Sequence, residues 1–329
     1  MENVKLTMPK LKVFIIHADY MEIRKQHIEK FVEILKSAGV DYEYISAFDP
    51  KAITQEDVQK KINLTKQNNG EFFDELIRNL HINQLSNALK HGEAITSASK
   101  ETGKYDHFLF VEDDILYGDD VMQKIKETIA LLDKSSESDI LFLGLPSLAP
   151  IEDQSVLTIT PTSKFYKVFP CCDSYMISAK SIEKVAAAFF PIKYITNFHL
   201  SYMAATHSLS TSMVVPNIFL DGTKYGAFLS SLDPNNKMMF NPEFIQLSNM
   251  LQNSSGDIET AFETIKFKNH PDVMHLQAIY AMSKGDFKKA ETILENILNV
   301  TVQNGCMINN ETEFLRTYIR LHKFTQDLM

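Results

Sequence analysis

Residues 107–120, HFLFVEDDILYGDD, constrain the fold of this chain more than any other stretch. They open on Phe108, Leu109, Phe110 and Val111, an apolar run with no polar interruption. That is the pattern of a strand buried on both faces in an α/β sheet. The run then breaks into Glu112, Asp113 and Asp114, so three carboxylates stand where a strand leaves its sheet. In open α/β sheets this carboxyl end is where ligands bind. Period-two alternation predicts Glu112 and Asp114 on one side and Asp113 on the other. Two carboxylates on the same side raise one another's pKa, and a divalent cation would relieve the repulsion. Hard oxygen ligands suit Mg²⁺ or Mn²⁺ shared with substrate phosphates. The plainer alternative is a solvated acidic loop or a helix cap. Asp119 and Asp120 fit that alternative, as the acidic start of a helix from Val121 to Leu132. A calcium loop fits poorly, because the spaced acidic positions with a closing Glu are missing.

Upstream, Lys12–His17 (KVFIIH) reads as a first buried strand. Met21–Ala38 follows as an amphipathic helix, with Ile23, His27, Phe31, Ile34 and Leu35 at helical spacing and Gly39 as its stop. Asp41–Ala47 alternates as a second strand. Strand, helix, strand in this order is the βαβ signature of a parallel sheet. Arg24 falls in the first turn of that helix, where a solvated charge is the plainer reading. Residues 51–70 are polar and read as a surface excursion. Glu71–Thr102 is predicted helical, with Leu85, Ala88, Leu89 and Ala94 on its buried stripe. His91 lies near that stripe, the usual setting of a hydrogen-bonded core histidine. Asp139–Gly144 is another strand, and residues 151–178 have a β-like texture broken by Pro161 and Pro170. A short helix over Ser181–Phe190 stops at Pro191, and Asp221, Gly222 and Gly226 mark a flexible turn.

The net charge of −9 excludes a general nucleic-acid binder, which needs a basic face against phosphates. A hydrophobic fraction of 44% with 23% charged residues is that of a soluble globular protein. The three cysteines, Cys171, Cys172 and Cys306, make neither a disulfide framework nor a C-x-x-C metal pattern, so a reduced compartment is expected. No signal-peptide pattern and no run of about eighteen apolar residues is present, so a cytoplasmic location is expected. That leaves room for peripheral contact with a membrane or a protein partner.

From Asn241 the chain reads as all helical and repeats itself. GDIETAFETI at Gly256–Ile265 recurs as GDFKKAETIL at Gly285–Leu294. Ala278, Tyr280, Gly285, Asp286, Phe287 and Ala290 are spaced as in tetratricopeptide-like helix pairs. Two such units are too few to stand alone, so packing against the first domain or a second subunit is expected, with Glu311–Leu328 as a cap. The predicted division is 1–235 for an α/β domain and 236–329 for the helical domain.

Taken in order, VFIIH with Arg24 in the next helix, YISAFDP, LSNALKHGEAI, FLFVEDDILYGDD, DILFLG and SYMISAKSIEKV are together specific. In that order and spacing the α/β part resembles glycosyltransferase family 25, the lipopolysaccharide-biosynthesis and collagen-galactosyltransferase-like enzymes. The resemblance implies a GT-A fold, a Rossmann-like mixed sheet flanked by helices. It implies that Glu112 and Asp114 contact the nucleotide ribose and the metal, and that Arg24 and the Ala47 region face the nucleotide. Asp113 belongs to the same triplet. His91 falls at the family's helix histidine, although Lys90 replaces the family's serine and Ser86 its glycine. A second departure is Asn197-Phe198-His199, where relatives tend to carry an acid. Asn197 cannot accept a proton as a general base, while His199 is a candidate metal ligand or substrate contact. The helical tail lies outside the resemblance.

The expected activity is a metal-dependent glycosyl transfer from a nucleotide sugar, a UDP-sugar being the leading donor, to a hydroxyl of a glycan or glycoconjugate, with inversion. Mn²⁺ or Mg²⁺ would balance charge on the leaving diphosphate. Asp173 and Asp221 are the candidate bases for the acceptor hydroxyl. Lys224, on the same Gly-rich loop as Asp221, is a candidate to close over the diphosphate. The alternative from a different class is a nucleotide-binding scaffold without catalysis that recruits a partner, or a second copy of itself, through the helical tail.

Overall fold

Leu11–Ile16 (β1) is buried at every position in the computed structural model of the chain, which describes residues 10–63, 81–135, 138–145, 156–232, 238–304 and 310–327. β1 pairs in parallel with Asp41–Ile45 (β2) on one side and with His107–Glu112 (β3) on the other. The helix between the first two strands, Glu22–Ser37 (α1), ends as the sequence predicts. Gly39 takes φ +68, and the amides of Gly39 and Val40 return to Lys36 and Leu35. This closure uses a left-handed residue that glycine adopts without steric cost.

The remaining strands are Ile140–Phe142 (β5), Thr158–Pro161 (β6), Ser174–Ser178 (β7) and Thr211–Val215 (β8). With β1–β3 they build a seven-stranded sheet in the order β2-β1-β3-β7-β5-β8-β6. β7 runs antiparallel to both β3 and β5, so the sheet is mixed. A separate two-stranded ladder joins Ile115–Tyr117 (β4) to Phe219–Asp221 (β9), with Ile115 opposite Asp221.

Strand alternation divides the core into two layers. Phe14, Phe108 and Phe110 face a helical layer made of Ile82–Ser99 (α3), Ala179–Phe189 (α5) and Thr196–Thr206 (α6). Val13, Ile15, Leu109 and Val111 face α1 and Val121–Ser135 (α4). Phe110 lies between Phe14 and Tyr175, with stacked rings 5.4 and 5.0 Å apart. Truncating a phenylalanine so enclosed costs about 3–5 kcal/mol. Gln55–Lys61 (α2) is a short capped helix of the predicted surface excursion. Residues 64–80, which include the rest of that excursion and the predicted start of the long helix, lie outside the described residues. Residues 151–155 and Cys306 do so as well.

The chain divides into two compact units, Met1–Asp221 and Gly222–Met329. The sequence reading put the change at 235/236, beyond Gly222. The second unit carries Pro242–Gln252 (α7), Ile258–Thr264 (α8), Pro271–Ser283 (α9), Phe287–Gln303 (α10) and Asn310–Asp327 (α11). The sequence repeat has a local cause. Gly256 and Gly285 take φ +76 and +80, and Asp257 and Asp286 then cap α8 and α10 through the amides of Thr260 and Lys289. Ala278 and Ala290 are fully buried in the cluster that α9 and α10 share.

Candidate functional site

β3 delivers Glu112 to the α3 side of the sheet, as alternation requires. There its Oε1 meets His91 Nε2 and Asn87 Nδ2, each at 3.1 Å. Asn87 and His91 are four residues apart and share one face of α3. Asn87 Oδ1 accepts the Thr196 hydroxyl, and His91 Nδ1 is 2.8 Å from the Tyr175 hydroxyl. Burial works against an ionised Glu112, but the bonds from His91 and Asn87 outweigh it and hold the carboxyl below its ordinary value.

Asp113 points to the other side. His17 Nδ1 lies 2.8 Å from its Oδ2, and Arg24 Nη1 donates to its Oδ1 at 3.0 Å. Burial again opposes ionisation, and Arg24 with His17 reverses the balance and lowers the pKa. Arg24 itself is 7% exposed, so the solvated-charge reading is corrected. The guanidinium is a buried counter-ion, placed there because the first turn of α1 lies over the end of β3.

Strand alternation stops before Asp114. β3 ends at Glu112, and residues 113 and 114 form the turn into β4, where period two no longer holds. Asp114 therefore sits with Asp113, its Oδ2 3.3 Å from the same Arg24 nitrogen, rather than beside Glu112 on one side. Asp114 is buried, and burial pushes its pKa up to about 8. Arg24 opposes the shift, while Asp221, Glu112 and Asp113 add to it. Asp221 comes close because β9 pairs with β4. One carboxylate oxygen of Asp221, one of Asp173 and Cys171 Sγ all lie within 4.8 Å of one another. Asp173 is buried, and Gly144 makes its space: a Cβ there would sit 2.5 Å from Asp173 Oδ2.

Ala47 is exposed in the loop after β2. That loop is fastened by Ser86 Oγ to the Phe48 carbonyl at 2.6 Å and by Lys90 to both Asp49 and the His17 carbonyl. Ser86 and Lys90 thus tie the Ala47 loop to α3 and to the end of β1.

His199 and Asn197 are both engaged by backbone groups of the first unit. His199 is buried in α6, with Nε2 2.6 Å from the Phe189 carbonyl and Nδ1 3.4 Å from the Lys193 amide. Burial lowers its pKa to about 4. With both ring nitrogens engaged by backbone, it is packed as a core histidine. Asn197 donates to the Phe169 carbonyl at 2.9 Å. Lys224 belongs to the second unit, where its Nζ lies 5.6 Å from the Phe240 ring centre.

Sequence reasoning missed His17, Asn87, Tyr175 and the two cysteines. Only Asn87 carried a signal, its four-residue spacing from His91. Among the described residues, no helix is long and apolar enough to cross a membrane.

No known protein family and no curated protein matches the sequence. Among solved structures, the chain is similar to a glycosyltransferase involved in the glycosylation of the major capsid of PBCV-1. The match has a TM-score of 0.32 at 9% identity and spans 55% of this chain and 65% of that one, less than two thirds of its length.

Proposed function

We propose that the chain is a metal-dependent glycosyltransferase of the GT-A type. In this reading it moves a sugar from a nucleotide sugar, a UDP-sugar first, to a hydroxyl of a glycan or glycoconjugate with inversion. The observation that carries the reading is Asp114, a buried carboxyl at the carboxyl end of the sheet, pushed up to about 8 beside Asp221. A buried acid with acidic neighbours is what a hard divalent cation stabilises, and oxygen donors suit Mn²⁺ or Mg²⁺. Asp114 and Asp221 are the residues to hold it. When bound, the cation supplies charge neutralisation for the departing nucleoside diphosphate.

The chain's own residues supply the rest. Arg24 orients Asp113 and Asp114 together. Glu112, held ionised by His91 and Asn87, offers an acceptor to a ribose hydroxyl. The fastened Ala47 loop forms the wall beside the nucleotide. Asp173 takes the proton of the acceptor hydroxyl, a contribution of about 10²–10⁴-fold. The helical second unit, with its capped Gly-Asp repeats, serves as a tetratricopeptide-like docking module.

Incubation with Mn²⁺ and a panel of UDP-, GDP- and CMP-sugars tests the reading through release of free nucleotide. Release that disappears in Asp114→Ala supports transfer chemistry. Tight nucleotide binding with no turnover of any donor favours the non-catalytic scaffold instead.

A further inference from the structure

Cys171 and Cys172 are adjacent and buried, and their sulfurs face different partners. Cys171 Sγ lies with Asp173 and Asp221 and is 3.8 Å from the Gly144 carbonyl. Cys172 Sγ lies 4.0 Å from Glu112 Oε1, on the α3 side. A His91 ring nitrogen, a Glu112 oxygen and Cys172 Sγ all fall within 4.8 Å of one another. We infer that His91, Glu112 and Cys172 form a second cation site, selective for a thiophilic divalent ion of the zinc class.

The spacing fits such an ion. Zinc bonds of about 2.0–2.3 Å at tetrahedral angles put neighbouring ligand atoms about 3.3–3.6 Å apart. The nitrogen–oxygen pair stands at 3.1 Å, the oxygen–sulfur pair at 4.0 Å and all three ligand atoms within 4.8 Å of one another, so the sulfur has to move inward to complete the set. The supporting groups also fit. A metal-binding histidine has its far nitrogen fixed by an outer partner, and His91 Nδ1 has the Tyr175 hydroxyl. Glu112 is steadied from outside the trio by Asn87, which Thr196 holds in turn. The Cys172 thiolate is the soft donor that such an ion favours over an all-oxygen set. Three protein ligands leave a fourth position open, and the Glu112 side chain is 14% exposed, on the approach from solvent. The donor set differs from the all-oxygen Asp114–Asp221 pair, so the two sites select different metals. The inference does not depend on glycosyl transfer.

The test uses the full chain, stripped with chelator, reduced with a phosphine and titrated with Co²⁺ in the absence of any nucleotide. One equivalent is expected to give a thiolate-to-cobalt charge-transfer absorption that Zn²⁺ displaces. The absorption should persist in Cys171→Ser and Asp114→Asn, vanish in Cys172→Ser, and need at least tenfold more cobalt in His91→Gln. A second measurement keeps the wild-type sequence: zinc should slow alkylation of Cys172 at least tenfold, mapped by peptide mass spectrometry, and leave Cys171 unchanged. No charge-transfer absorption, absorption retained in Cys172→Ser, or alkylation of Cys172 indifferent to zinc would each overturn the site. Donor turnover is not read in either experiment, so the transferase reading stands or falls separately.

Discussion

Replacing Asp114 by asparagine should make the metal-free protein more stable, and only above acidic pH. The carboxyl is 4% exposed, and its pKa rises from 3.8 to about 8 on folding. Below the unfolded value it is neutral in both states and contributes no difference. Between about pH 4 and 8 it ionises in the unfolded chain while the folded chain keeps the proton, so wild-type stability falls as pH rises. The loss is at most about 1.4 kcal/mol per pH unit, with a ceiling of roughly 5–6 kcal/mol above pH 8. Side-chain rearrangement and water entry lower the realised figure, and about 2–4 kcal/mol is expected. Asparagine has nearly the same shape, keeps an oxygen facing Arg24 and carries no charge. Urea unfolding followed by far-UV circular dichroism, with chelator present, should therefore find the two proteins equal near pH 4. The variant should pull ahead steadily up to pH 8. Acids away from this cluster are common to both proteins, so the pH-dependent difference reports on Asp114 together with the acids it faces. Adding Mn²⁺ should stabilise the wild type and not the variant. A difference that is flat with pH, or a wild type that is the more stable at pH 8, would refute the argument.

Other expectations follow from the same contacts. Arg24→Met removes the buried counter-ion of Asp113 and should cost about 3–5 kcal/mol in urea unfolding; an unchanged midpoint would mean the network holds nothing. In Gly144→Ala the added methyl meets Asp173 Oδ2 at 2.5 Å and Ser174 Oγ at 2.6 Å. It should lose about 1–3 kcal/mol and most donor turnover, and a fully active variant would remove Asp173 from the chemistry. The His199 pKa, pushed down to about 4 by burial, makes folded stability complete above about pH 6.5 and lost as pH falls towards 4. His199→Gln should flatten that acid limb and leave manganese affinity within about twofold, whereas a tenfold loss of affinity would restore the ligand role.

Much of the architecture was legible because it rests on near neighbours in sequence. The apolar run at Phe108–Val111 gave a central strand, and Gly39 gave the end of α1. The Gly-Asp pairs at 256–257 and 285–286 gave the starts of α8 and α10. Arg24 was misread because a charge in the first turn of an exposed-looking helix is usually solvated. Nothing within a few residues says that the turn is roofed by the end of another strand. Asp114 was misplaced because alternation holds inside a strand and lapses in the turn that follows.

The chain's local chemistry therefore determined which residues lie in strands and helices, and that three acids stand at the mouth of the sheet. Only the tertiary structure decided what each acid meets. Arg24 and Asp113 are 89 positions apart, and their contact depends on β1 lying beside β3. Asp221 reaches Asp114 through the β4–β9 pairing, and Cys172 reaches Glu112 because β7 runs antiparallel to β3. Such contacts come from strand order and direction, which the hydrophobic pattern of a single segment does not encode. Whether a carboxyl is ionised, raised or available to a metal follows from those distant partners and from burial.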